Sequence, residues 1–198
     1  MRSLFDFIVS PDGDRYKNSI KVGDKDLIMN TEIFNHQYVN REAVVLKTPI
    51  AIDTKIKEGD KLIVHHNVFR RWHNVKGIEK NSRSYISDDE FAINEDQIFL
   101  HKPKDASEWS ATDGYCFVQP IKSTDKLVED SEEPLMGIVK YTDGSCNEGE
   151  LVGFTPVSMY EFIIGGKRLY RVMTKFITIK YDYKGNEEEY NPSWAYSR

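Results

Sequence analysis

Residues 58–76 read EGDKLIVHHNVFRRWHNVK, and the opening of that stretch returns in altered form as EGELVGF at residues 148–154. Each begins with an acidic residue and a glycine that make a turn, passes a second acid and enters an apolar run. The run is Leu62, Ile63 and Val64 in one case, Leu151 and Val152 in the other. A turn feeding a buried strand therefore occurs twice in one chain. The flanks match as well. Upstream, EAVVLK (42–47) and LMGIVK (135–140) are short runs suited to a half-buried pleated surface. Downstream, 90–100 and 168–179 each set a polar spacer between two apolar patches, while Phe7-Ile8-Val9 and Cys116-Phe117-Val118 open the two copies. The expectation is a tandem duplication of one small β unit. The fold class is all-β, with one unit over residues 1–103 and a divergent second over 110–198, joined by the polar, proline-bearing KPKDAS at 102–107.

Composition bounds the function. The 198 residues are 39% hydrophobic and 30% charged, which is the balance of a globular chain and not of a disordered one. A net charge of -5 with both signs interspersed lacks the basic stripe that a phosphate-backbone binder needs, so nucleic acid is not expected as a partner. Asp6 interrupts the apolar start after Leu4 and Phe5, and no run reaches membrane-spanning length, so neither a signal peptide nor a membrane partner is expected. The expected compartment is the cytoplasm. Units of roughly a hundred residues bury modest cores, which favours a homo-oligomer.

The side chains offer little chemistry. Cys116 and Cys146 have no CxxC spacing and are expected as reduced, packed thiols. His65 and His66 invite a metal, but neighbours in a strand point to opposite faces, so none is expected there or at His36, His73 and His101. Asp88-Asp89 and Glu187-Glu188-Glu189 sit in turn or tail contexts and read as solvated charge. No phosphate loop, dinucleotide fingerprint or nucleophile elbow is present, so no cofactor and no enzyme activity are expected.

Two segments point to binding. From 14 to 40 the chain is polar and asparagine-rich, without a period, yet it carries the apolar triplet Leu27, Ile28 and Met29; long loops in small β domains are usually functional. The second is Phe69, Arg70, Arg71 and Trp72, since arginine and tryptophan concentrate interface energy. Packing within a barrel is the equal alternative for these, as for Arg168, Arg171 and Tyr170 of the second copy. The aromatic tail with Trp194 and Tyr196 is expected to dock somewhere.

This order of features resembles the GroES (chaperonin-10) co-chaperonin family. Asp26-Leu27-Ile28-Met29 stands where that family has its mobile loop, and 40–45 looks like its Thr-Arg-Gly-Glu-Val strand. Residues 57–64, KEGDKLIV, are similar to its Val-Gly-Asp strand, and Asp96-Gln97-Ile98-Phe99 to its closing strand. The resemblance implies two GroES-like irregular β-barrels in a tandem, divergent, phage-like member. It further implies a ring, a GroEL-like chaperonin as partner, and capping of the folding chamber by Leu27, Ile28 and Met29. Between Leu46 and Lys57 there is no room for the family's roof hairpin, and the second copy offers only Leu127-Val128 in place of the triplet. Two readings stand: a co-chaperonin, or a non-catalytic viral structural or adaptor protein built on the same barrel.

Overall fold

The computed structural model describes residues 2–16, 19–28, 38–124, 131–182, 185, 187–193 and 195, with backbone alone for 19–22, 26–28 and 158. It divides into two compact units, 1–109 and 110–198. Both are built of antiparallel strands, and the helical pieces among the described residues are single 3-10 turns. No helix among them is long and apolar enough to cross a membrane.

The first unit holds β1 (Phe7–Pro11), β2 (Ser19–Val22), β3 (Lys25–Ile28), β4 (Glu42–Lys47), β5 (Lys61–Val64), β6 (Arg71–His73), β7 (Glu79–Asn81), β8 (Tyr85–Ser87), β9 (Glu90–Ile93) and β10 (Ile98–Lys102). The second holds β11 (Ser110–Ala111), β12 (Tyr115–Lys122), β13 (Glu132–Thr142), β14 (Leu151–Phe154), β15 (Tyr160–Ile164), β16 (Lys167–Met173) and β17 (Ile177–Tyr181). Strands line up as β10-β5-β4-β1-β9-β8 in one unit and β17-β14-β13-β12-β16-β15 in the other. The correspondence extends to single residues. Val9 faces Val45 on one side and Phe91 on the other, and Val118 faces Val139 and Tyr170. The register slips between Ile8 and Val9, and again between Phe117 and Val118. A 3-10 turn precedes the last strand of each sheet, Glu95–Gln97 before β10 and Thr174–Phe176 before β17.

The acidic-glycine turns work as hinges for this pairing. Gly59 and Gly149 take positive φ, which glycine adopts without a Cβ penalty. Their N–H groups donate to Val45 O and Val139 O, both at 2.8 Å. Asp60 is buried: its Oδ2 accepts the Lys57 N–H at 2.8 Å, its Oδ1 the Lys104 N–H at 2.9 Å, and His101 Nε2 lies 3.4 Å from Oδ2. Glu150 repeats the plan, accepting the Asn147 N–H at 3.1 Å and ion-pairing with Lys180 at 2.8 Å. The hydrogen bond from Lys180 holds the Glu150 carboxyl below its ordinary pKa. His101 and Lys180 are equivalent, facing Leu62 and Val152.

The cores follow from the alternation. Phe7, Val9, Val45, Leu62, Phe91 and Ile93 fill the first, and Cys116, Val118, Val139, Val152, Tyr170 and Val172 the second. Gly165-Gly166, both at positive φ, close the β15–β16 hairpin as a two-residue turn whose backbone twist suits the strands.

Four expectations are corrected. Residues 14–40 are not without regular structure, because β2 and β3 pair from Ser19↔Ile28 to Val22↔Lys25 around Gly23-Asp24. Residues 76–83, whose charge reads as a loop, contain β7, which pairs with β6. The strand expected to reach His65 stops at Val64. The copies align one residue differently upstream, since Glu42 corresponds to Met136 and not Leu135. Leu135 is displaced because it takes φ 57 beside an irregularity in the β12–β13 pairing, the one non-glycine positive φ among the described residues.

Replacing Asp60 with Ala leaves two backbone donors without their carboxylate and is expected to lower stability by about 3 kcal/mol. Asp60→Asn, which keeps one acceptor oxygen but presents an amide N–H to the second donor, falls between that variant and the wild type. Urea denaturation followed by far-ultraviolet circular dichroism measures both.

Candidate functional site

The first candidate is the β2–β3 hairpin. Among the described residues its strands pair only with each other, and its ends are gathered by a bridge between Tyr16 and Val39. Asn40, fully buried, clamps that neck: its Nδ2 donates to Asp12 O and Asp14 O, both at 3.0 Å, and its backbone N–H donates to Arg15 O. Leu27 and Ile28 lie in β3, on backbone alone, and Met29 lies outside the described residues. So do Leu127 and Val128 of the second copy. The asparagine that argued against regular structure is the residue that fixes where the insertion leaves the sheet.

The second candidate begins where β5 ends. Val68 and Phe69 turn inward, and Phe69 packs edge-on against Phe91 at 4.8 Å between ring centres. Phe69 is thus a core residue, and its place among interface residues is corrected; the hydrophobic ring fills the first unit's own interior. Arg15 locks this corner, donating through Nε and Nη2 to Phe69 O and through Nη2 to Asn81 Oδ1, with its guanidinium over the Phe91 ring at 5.0 Å. Burial, and then the neighbouring Arg71, lower its pKa. The Tyr16 hydroxyl accepts the Arg71 N–H at 2.7 Å, and Arg71 lies over the Tyr16 ring and reaches Glu79 at 3.5 Å.

Along β6, Arg71 therefore faces the unit and Trp72 faces away. Arg70 and Trp72 line an open cavity of about 660 Å³ with Asn67, Ser82, Arg83, Ser84 and Gln97. The Arg70 Nε is buried and has no hydrogen-bond partner among the described residues. Ser82 Oγ donates to Val68 O at 2.5 Å, and Gln97 Nε2 to Ser84 Oγ at 3.4 Å, which fixes the far wall.

The remaining candidates become structural. Arg168 reaches Glu132 at 2.6 Å and Glu161 at 2.9 Å over the Tyr170 ring, and Tyr170 donates to Glu132 at 2.6 Å. Burial alone would lower the Arg168 pKa, but its hydrogen bond to Glu161 and the charge of Glu132 raise it. Arg171 stacks on Tyr115. The tail docks on its own unit: Glu189 bridges Ile121, Tyr190 N–H donates to Pro120 O at 2.8 Å, and Lys140 ion-pairs with Glu189. Two of the three glutamates there meet a lysine, since the exposed Glu188 also lies 3.7 Å from Lys122. Trp194 and Tyr196 lie outside the described residues.

His65 and His66 do not point to opposite faces. Beyond the end of β5 their rings stack at 4.3 Å, and the His65 Nδ1 accepts the Asn67 N–H. Among the described residues no three histidines, cysteines or carboxylates converge on a metal position. Compared with family models, with curated proteins and with solved structures, the chain gives no match.

Both thiols are free and buried. Burial pushes the Cys116 thiol up to about 12 and also raises Cys146. A folded thiol pKa above the unfolded value contributes stability that is fully present below about pH 9 and fades as pH rises toward 12. Unfolding free energy should fall over that window, and iodoacetamide at pH 8 should label neither cysteine until denaturant is added, as read by intact mass.

Proposed function

We propose that this chain is a docking protein without catalysis, made of two GroES-like barrels, that works as a co-chaperonin. The observation that carries the reading is the β2–β3 hairpin, an insertion that bears Leu27 and Ile28, pairs with no other strand of the described residues and leaves the sheet through a clamped neck. On this reading the apolar residues of the insertion engage a groove on a chaperonin ring. Ordering such a segment on a partner weakens each contact, and a ring of subunits multiplies weak contacts into avidity.

The structural or adaptor reading keeps one observation of its own. The connection from β4 to β5, residues 48–60, contains no strand, so a ring of these subunits would have no hairpin to roof a chamber. In that reading the same barrels serve as building blocks and the hairpin joins subunit to subunit.

Ile28→Asp separates the two. On the co-chaperonin reading it leaves the circular dichroism spectrum and oligomeric state unchanged and abolishes ATP- or ADP-dependent co-sedimentation with a chaperonin. Wild-type-like chaperonin binding by the variant removes the co-chaperonin reading, and a variant that loses its oligomer instead selects the building-block one.

A further inference from the structure

We infer that the cavity beside β6 is a binding site for an organic anion that carries a planar ring, its phosphate or carboxylate held by Arg70 and Arg83 and its ring laid on Trp72. The lining contains two guanidinium groups and no acidic side chain. Neither arginine has a hydrogen bond or ion pair to a described residue, and the carboxylate nearest in the hairpin, Glu79, is already taken by Arg71 on the opposite face. Lys80, the cross-strand partner of Trp72, adds a third cation on the same face. Guanidinium groups recognise phosphate and carboxylate through paired N–H donors, and such charge-assisted bonds are about twice as strong as neutral ones.

The rest of the wall fits the remainder of such a ligand. Trp72 is exposed on the cavity side, and an indole face offers both apolar area and stacking. Asn67 and Gln97 present amides, and Ser82 and Ser84 hydroxyls, around the same space. A volume of about 660 Å³ lies in the range of small-molecule pockets, roughly 300–1,000 Å³. The walls are also rigid. Arg71 is pinned by Tyr16 and Glu79, Ser82 is tied to Val68, and the hairpin turn is fixed by Asn74 Oδ1, which accepts the Lys76 and Ile78 N–H groups. The inference stands on the first unit alone and does not require a chaperonin partner.

Isothermal titration calorimetry of the full chain with four probes tests it: AMP and 4-hydroxybenzoate, which combine ring and anion, and adenosine and inorganic phosphate, which hold one half each. The expected result is that AMP or 4-hydroxybenzoate binds roughly tenfold or more tighter than either half, weakens as salt rises, and loses roughly tenfold in Arg83→Gln, an exposed position whose change leaves the fold intact. Which of the two binds better distinguishes phosphate from carboxylate. Trp72→Ala is expected to abolish the advantage of the ringed probes over inorganic phosphate. The inference is overturned if neither ringed anion binds at about 10 mM, or if binding is unchanged in Arg83→Gln and in the Arg70→Gln, Arg83→Gln double variant.

Discussion

One carboxylate placed just after a glycine turn holds each sheet together. Asp60 joins two stretches distant in sequence: the turn that launches β5, and the end of β10 with the chain just beyond it, through His101 and the Lys104 N–H. Because the charge is buried, its hydrogen bonds are obligatory; a carboxylate taken from water without partners would be strongly unfavourable. Glu150 solves the same problem nearer the surface, with a lysine where the first unit has a histidine. The Glu150–Lys180 pair is closer, at 2.8 Å against 3.4 Å, but it is exposed on the lysine side, where solvent screens an ion pair.

With the sheets fixed in this way, the differences between the units fall in the connections. Between β1 and β4 the first unit inserts the β2–β3 hairpin, where the second joins β12 to β13 by residues 123–131. Between β5 and β8 it inserts β6 and β7, where the second has only residues 155–159 with a 3-10 turn. Both candidate binding features belong to these two insertions of the first unit. The second unit uses the corresponding edge differently, laying its own tail along β12 and tying it with Lys122 and Lys140.

What the sequence disclosed was the framework. The acidic-glycine turns and the β-branched runs are local signals whose meaning does not depend on distant residues, so they could be read directly. The insertions were harder. Nothing local distinguishes Asn40, a buried clamp, from the other asparagines of a polar stretch, because its partners Asp12 and Asp14 lie across the neck. Phe69 and Trp72 look alike in FRRW, yet the chain's inward turn at Val68 buries one and leaves the other outside. The cavity was invisible for the same reason: Arg83, Ser84 and Gln97 join Arg70 and Trp72 only after β7 has folded back on β6. The one-residue misalignment at Leu135 came from a backbone irregularity, which leaves no mark on hydrophobic periodicity.

Two copies of one pairing scheme in a single chain carry a hazard, since a strand of one copy could be incorporated into the other during folding. Gly137 bears on this. It faces Pro120 as Ala43 faces Pro11, but a Cβ at 137 would lie 2.4 Å from Gln119 O and 2.6 Å from Val118 Cγ1. β4, carrying Ala43, therefore cannot take the place of β13 without pushing the neighbouring backbone aside. A single missing methyl group makes the two pairing schemes non-interchangeable in that direction, so that sterics at Gly137 oppose strand exchange between the units.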